Sequence, residues 1–284
     1  MILYNDYLRQ RYGCKVYRIA LDAGFSCPNI KNGGCTYCNS KGSRAPYANP
    51  SNTILKQLDI RINILKETKS AKKFIAYFQA HTNTYASIDK LQAAYDQVKG
   101  LDDIVGISIG TRPDCVDREK LELIASYKDR YEVWLEYGLQ SARDQTLKLI
   151  NRGHTFDDFC SAVKLTKEFG IPVCAHVILG LPGETRSDMM ITAKKLAELN
   201  VEGVKIHLLH ILKGSKLEEL YRNGKIKLLG QDEYAKLVRE FLSYLSPDII
   251  VQRLTGQGSK DDHIAPLWAL DKLGTINKIT GTIS

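Results

Sequence analysis

The sequence has little that would suit a membrane or an export route. No window comes near the roughly twenty consecutive apolar residues that a membrane-spanning helix needs. The first thirty residues carry a charge every few positions and lack the apolar core of a signal peptide. We therefore expect a soluble protein that stays in the cytoplasm and does not bind a membrane.

Repeats, low-complexity tracts and linkers rich in proline, glycine or serine are also lacking. Nothing in the sequence therefore supports a division into independent domains. We predict one domain over residues 1–284, with a barrel core at about 16–245. A C-terminal strand, a glycine-rich polar loop and a helix are expected at about 246–284.

The cysteines do not suit a disulfide framework. There are 7, an odd number, and Cys27, Cys35 and Cys38 lie within one short segment. This crowding favours a metal site in a reducing compartment. Structural zinc normally has four protein ligands, and the chain offers no second CxxC-like pair. Three ligands would leave one iron of a [4Fe-4S] cluster open to a small molecule. Zinc and three unliganded cysteines remain the alternatives.

Short apolar runs alternate with longer amphipathic segments from about residue 16 to about residue 245. This alternation predicts repeated βα units and a parallel sheet. The six predicted strands cover residues 17–23, 73–79, 104–110, 131–139, 173–181 and 203–211. The predicted helices between them cover residues 54–69, 88–100, 117–128, 156–170 and 185–200.

The segment GFSCPNIKNGGCTYCN resembles the radical S-adenosylmethionine superfamily, whose usual motif is CxxxCxxC with an aromatic residue before the third cysteine. Tyr37 has that position here, and the first spacing is longer because residues 31–34 form an insertion. The Elongator catalytic subunit group departs from the motif in a similar way. So does a bacterial group of radical enzymes of about this length, which the chain resembles over nearly its whole span. The resemblance implies an α/β fold, a partial (β/α)6 TIM-like barrel with a C-terminal extension, that binds a [4Fe-4S] cluster and S-adenosylmethionine.

Residues 135–155 resemble a block, GxQS followed by NRxH, that is shared with oxygen-independent coproporphyrinogen oxidase and the Elongator catalytic subunit. The resemblance implies that Gln140 contacts the ribose of the cofactor. It also implies that Arg152 pairs with the cofactor carboxylate, for which a guanidinium fork is suited. In isolation, Gln140 would be interpreted as a turn-capping amide and Arg152 as a surface charge.

Further cofactor contacts are expected at the C-terminal ends of the other strands, where barrels of parallel strands carry their chemistry. Ala80 stands where the family has a glycine-rich pair near the methionine amino group, and Gln79 is a plausible donor beside it. Ser108 and Arg112 are expected to face the site. Gly180 would let the backbone approach a ligand closely.

Three histidines and two charged residues are harder to assign. His176 has either a cofactor-side role or that of a satisfied core histidine. The spacing of His207 and His210 on a strand predicts opposite faces, so at most one should point inward. On the catalytic side, Glu136 contacts substrate or cofactor, or is the partner of a barrel lysine. Arg253 grips a substrate phosphate or carboxylate, or braces the C-terminal loop.

The resemblance implies a tRNA substrate, at the C5 side chain of the wobble uridine, with remodelling from the carboxymethylaminomethyl towards the aminomethyl form. It also implies an electron donor of the flavodoxin or ferredoxin type. The net charge of +8 agrees with a nucleic-acid partner. The candidate phosphate contacts are Arg9, Arg11, Lys15, Arg18, Lys31, Lys41, Arg44, Lys213 and Lys216. A radical enzyme for a small molecule or tetrapyrrole and a zinc-stabilised RNA-binding module remain alternatives.

Overall fold

The structure is a computed structural model that describes residues 1–256 and 261–281. Ten strands follow one another along the chain. They are β1 (Ile2–Leu3), β2 (Val16–Leu21), β3 (Lys73–Phe78), β4 (Ile104–Thr111), β5 (Glu132–Gln140), β6 (Val173–Leu179), β7 (Gly203–Leu208), β8 (Ile211–Leu212), β9 (Ile250–Arg253) and β10 (His263–Ala265).

Eight of these strands form one curled parallel sheet in the order β1-β9-β7-β6-β5-β4-β3-β2, and β8 pairs with β10 in a separate antiparallel ribbon. The sheet confirms the predicted α/β class and the partial TIM-like barrel. Strand β9 also confirms the predicted seventh strand. Part of the predicted glycine-rich loop, residues 257–260, lies outside the described residues.

Ten helices are described. They are α1 (Tyr4–Tyr12), α2 (Ile54–Lys69), α3 (Ile88–Tyr95), α4 (Arg118–Ala125), α5 (Asp144–Leu149), α6 (Phe156–Glu168), α7 (Arg186–Glu198), α8 (Lys216–Arg222), α9 (Gln231–Ser243) and α10 (Lys272–Thr280). None of these described helices combines the length and apolar character that crossing a bilayer would require.

Local sequence explains where the barrel helices begin. Thr155 and Thr185 each form a capping box with the aspartate three residues later, which satisfies backbone N–H groups at the start of α6 and α7. Asp117 caps α4, because its side chain accepts from the Lys120 N–H. Helices α2, α3, α4, α6 and α7 thus follow successive strands and pack on the outside of the sheet.

The alternation of side chains along each strand separates an apolar outer layer from a polar interior. In β5, Val133, Leu135 and Tyr137 pack in the main hydrophobic core. Their neighbour Glu136 points the other way and is fully buried inside the barrel.

Helix α1 closes the barrel at the amino-terminal ends of the strands. Its buried residues Tyr4 and Leu8 pack with Val16, Ile75 and Trp134 in a separate hydrophobic cluster. The sequence interpretation assigned no element to this segment. The carboxyl-terminal ends of the strands lie on the opposite side of the barrel, away from this helix.

Candidate functional site

A cavity of about 830 Å³ opens at the carboxyl-terminal ends of the parallel strands. Its size is in the range of small-molecule and cofactor sites. Cys27, Cys35 and Cys38 all line it. Between the first two cysteines the chain forms a 3-10 turn, and Gly33 and Gly34 have left-handed φ values of 83° and 69°. These two glycines let the long loop turn back, so that all three thiols reach the same cavity.

Two asparagines fasten the cysteine loop to the block at residues 151–154. The Asn29 amide donates to the Asn151 carbonyl (2.6 Å) and lies 3.4 Å from the Cys35 sulfur. The Asn151 amide in turn donates to the carbonyls of Asn32 (2.9 Å) and Gly34 (2.7 Å). The sequence interpretation missed both residues. They could have been found from their positions, because Asn29 lies inside the cysteine loop and Asn151 lies in the NRxH block.

Arg152 is buried behind the same loop. Two of its nitrogens donate to the Gly138 carbonyl (3.1 and 2.7 Å), and a third lies 3.7 Å from the Cys35 sulfur. The hydrogen bond with Cys38, together with the Arg152 guanidinium, lowers the pKa of Cys35 to about 5. A thiolate is the form that binds metal. The structure thus places Arg152 against a cysteine and a backbone carbonyl, whereas the resemblance implied pairing with the cofactor carboxylate.

The donor set fits an iron-sulfur cluster. Among the described residues, no group of three or more cysteine, histidine or carboxylate side chains stands ready to hold a single metal ion. In a [4Fe-4S] cube, however, each thiolate binds a different iron, so the three sulfurs need not meet at one point. The described residues that line the cavity include no fourth cysteine. Three thiols, one of them acidified, therefore suit a cluster that keeps one iron free.

Two family models match the chain. One, described as the Radical SAM superfamily, matches residues 28–196, and the other, the Radical_SAM C-terminal domain, matches residues 201–284. The chain belongs to the radical SAM superfamily. It is an enzyme of this type and uses a [4Fe-4S] cluster, S-adenosylmethionine and a reductant, which confirms the predicted family and cofactors.

The chain is 43% identical over 281 residues to protein YtqA of Bacillus subtilis, covering 96% of this chain and 87% of that protein. Human Elongator complex protein 3 is 29% identical over 168 residues, which are 56% of this chain and 30% of that protein. The structure of Methanocaldococcus infernus Elp3 has a TM-score of 0.69 at 18% identity and covers 94% of this chain and 64% of that one. That structure shows the same fold.

Glu136 organises the polar interior below the cysteines, here called the cavity floor. One of its oxygens accepts from Arg18, and the other accepts from Lys205 and from His176 Nε2 (2.9 Å). Both cations also contact the ring of Tyr77, with Arg18 Cζ 4.0 Å and Lys205 Nζ 4.3 Å from its centroid. Burial alone would raise the pKa of Glu136, but Arg18 and Lys205 hold it well below its usual range. Burial lowers the pKa of Lys205 to about 7.

These contacts decide between the alternative interpretations of Glu136 and His176 that the sequence left open. Glu136 is the partner of a barrel lysine, as one of its two interpretations had it, although it also lines the cavity. His176 is a satisfied histidine that faces the same cavity. The prediction of Arg18 as a phosphate contact was wrong, because β2 directs this side chain into the barrel, where Glu136 and Gln252 engage it.

Five of the predicted cofactor contacts line the cavity, namely Arg152 and His176, described above, and Tyr37, Gln79 and Gln140. Tyr37 lies between two of the cysteines in sequence. Gln79 also donates to the Ser43 carbonyl (2.7 Å). Gln140 adopts a left-handed φ of 76° where the pairing of β5 with β6 shifts register. A non-glycine residue in this conformation is strained, and such strain often accompanies functional sites.

Three others do not line it. Ala80 is buried, and its carbonyl accepts from Asn83. Ser108 is buried inside β4, and its hydroxyl has no partner among the described residues. Gly180 is packed by Leu229, whose Cδ1 would stand 2.9 Å from a Cβ at this position. In the structure, the group that approaches Gly180 closely is the side chain of Leu229.

His207 and His210 both line the cavity, so the prediction that at most one points inward was wrong. Strand β7 ends at Leu208, three residues earlier than expected, so the alternation of side chains along the strand does not apply to His210. Both imidazoles flank Gly256, where an added Cβ would lie 2.9 Å from His207 Nδ1 and 3.1 Å from His210 Nε2.

The predicted phosphate contacts fall into two groups at opposite ends of the barrel. Lys41, Arg44 and Lys216 line the cavity. Lys31 and Lys213 are exposed on the segments beside it. These five residues are here called the basic rim. Arg9, Arg11 and Lys15 are exposed at the closed end, where Arg11 pairs with Glu132 (2.9 Å), so the structure does not bring these three residues to the cavity.

Proposed function

We propose that this radical SAM enzyme modifies the C5 side chain of a tRNA wobble uridine, from the carboxymethylaminomethyl towards the aminomethyl form. The observation that carries the proposal is the basic rim around a cavity that contains three cysteines. A cationic rim holds a phosphate backbone without reading its sequence, while a cavity accepts a base turned out of its stack. The partial likeness to Elongator complex protein 3 supports the same substrate class.

We further propose that Cys27, Cys35 and Cys38 hold the cluster, with Asn29 and Asn151 fixing their loop. Held there, the reduced cluster together with S-adenosylmethionine would supply radical chemistry for hydrogen abstraction. Gln79, Gln140 and Tyr37 contribute to cofactor binding from the cavity wall.

We propose that the remaining residues of the cavity position the substrate and exclude water. The hydrogen bonds and ion pairs around Glu136 hold Arg18, Lys205 and His176 in place on the cavity floor. An electron donor of the flavodoxin or ferredoxin type is part of the proposal. So is a cytoplasmic location, which the seven unpaired cysteines support.

Binding of tRNA at increasing salt tests the substrate class. If the five residues of the basic rim contact phosphates, the logarithm of the affinity should fall against the logarithm of salt with a slope of about −3 to −5. Anaerobic turnover with tRNA that carries the carboxymethylaminomethyl group should raise formation of 5′-deoxyadenosine over turnover without tRNA. Salt-independent binding, with acceleration by a tetrapyrrole instead, would favour a radical enzyme for small molecules.

A further inference from the structure

The cavity floor holds more positive than negative groups. Arg18, Lys205 and Arg253 bring three cationic side chains together, and Glu136 is the carboxylate they share. Both oxygens of Glu136 are already engaged by Arg18, Lys205 and His176. Glu136 therefore has little remaining capacity to accept a hydrogen bond from a third cation.

Arg253 is the cation without a partner. It stands at the end of β9 and lines the cavity. Within residues 1–256 and 261–281, no hydrogen bond or ion pair engages its guanidinium. The two stretches outside this part, QGSK and TIS, contain no aspartate or glutamate. Burial lowers the pKa of Arg253, which agrees with a guanidinium that lacks a matching anion.

Unused hydrogen-bonding atoms surround the same place. His207 Nε2, His210 Nδ1 and His210 Nε2 are buried and have no partner among the described residues. His207 and Arg253 both line the cavity, and the strands that carry them, β7 and β9, are neighbours in the sheet. Buried polar atoms without partners are costly, and a ligand that supplies partners would remove that cost.

We propose that Arg253, with His207 beside it, binds a carboxylate of the substrate at the cavity floor. A carboxylate suits the site because a guanidinium fork binds its two oxygens at once. Backbone phosphates of a nucleic acid would instead meet the basic rim. The inference rests on the proposed function, in which the carboxymethyl group of the uridine side chain supplies the carboxylate. The other source of the same chemistry is the methionine carboxylate of the cofactor.

The test uses the reconstituted holoenzyme with acetate as the probe, first alone and then with saturating S-adenosylmethionine. Acetate is titrated while thermal unfolding is followed, with neutral acetamide as the matched control. We expect acetate, but not acetamide, to raise the Tm of the wild type whether or not S-adenosylmethionine is present. In Arg253→Gln the acetate affinity should fall about 10-fold to 100-fold. Arg11→Gln, an arginine change at the closed end, should leave it unchanged.

Two results would overturn the assignment. Equal acetate affinity in Arg253→Gln and the wild type would show that Arg253 does not bind the anion. Loss of the acetate effect on addition of S-adenosylmethionine would assign the floor to the cofactor carboxylate. If Arg253→Gln does not fold, Arg253→Lys keeps the charge without the fork, and its acetate affinity should fall at least several-fold. Unchanged affinity in that variant would also contradict the proposal.

A second arm separates this inference from the proposed function. It compares the binding of tRNA carrying the carboxymethylaminomethyl group with that of tRNA carrying the aminomethyl group. The wild type should prefer the first, and Arg253→Gln should lose the preference. If acetate binds through Arg253 but the two tRNAs bind alike, the carboxylate site stands and the proposed tRNA substrate fails.

Discussion

The two ends of the barrel use similar residues for different purposes. At the closed end, Glu132 accepts from Tyr12 (3.0 Å) and Trp134 (2.8 Å) and pairs with Arg11, above a cluster of packed apolar side chains. At the open end, Arg253 and two histidines have polar atoms without partners among the described residues. Glu132 at the closed end thus has its partners within the chain, whereas Arg253 and the two histidines at the open end are left for ligands.

The largest expected difference concerns the cysteines at the two ends. Cys35→Ala removes a proposed cluster ligand, and we expect the reconstituted protein to lose most of its iron and sulfide and all detectable 5′-deoxyadenosine formation. Cys174→Ala changes a buried cysteine in the closed-end cluster and should keep both. Iron analysis and anaerobic turnover measure the effect. Full iron content in Cys35→Ala would remove this residue from the ligand set.

A matched pair of glutamates compares stability at the two ends. Glu136→Gln leaves Arg18 and Lys205 buried without a counter-charge, which should cost about 3–5 kcal/mol in the free energy of unfolding. Glu132→Gln removes a pairing with an exposed arginine and should cost only about 1 kcal/mol. Urea unfolding of both variants measures the difference. Equal losses would show that the floor network is not more tightly coupled than the closed end.

Most of the strands and helices could be predicted from the sequence because apolar periodicity is a local property. Helix α2 spans the predicted residues 54–69, and α4 and α6 begin within one residue of the predicted starts at 117 and 156. Helices α1 and α9 were missed, since neither follows a βα repeat and their positions are set by packing against the ends and sides of the barrel.

Side-chain direction was the main limit for the site. The sequence shows that Arg18 lies in a strand, but not whether its charge faces solvent or the barrel interior. A lone arginine among apolar neighbours was the signal that it points inward to a partner. The placement of His210 depended on the residue at which β7 ends, and strand ends are the least certain feature of a sequence pattern.

Removing positive charges at the open end should weaken the salt dependence of tRNA binding more than removing them at the closed end. Changing Lys41, Lys213 and Lys216 together to glutamine should make the salt slope of tRNA binding shallower by about 2–3. Changing Arg9, Arg11 and Lys15 removes the same charge at the closed end and should leave the slope nearly unchanged. Filter binding over a salt series measures both. Equal effects would mean that net charge alone governs binding.

The smallest expected effect is a pH dependence at the open end. Burial raises the pKa of Glu184 to about 7, although Ser141 and Thr146 donate to it. Between pH 4.5 and 7, Glu184 is protonated in the folded state and ionised in the unfolded state. Its contribution to the free energy of unfolding is therefore present at low pH and is lost as the pH rises towards 7. Glu184→Gln should be more stable than the wild type by about 1–2 kcal/mol above pH 7, but not below pH 4.5. Urea unfolding across pH tests this, and a pH-independent difference would contradict it.

The most direct test of the account is formation of 5′-deoxyadenosine by the protein reconstituted anaerobically with iron and sulfide, after reduction with dithionite. The account predicts that the wild type and Cys174→Ala convert S-adenosylmethionine to 5′-deoxyadenosine and that Cys35→Ala does not. A wild-type protein that holds a full cluster at these three cysteines yet releases none would contradict the claim that the open end is the radical site.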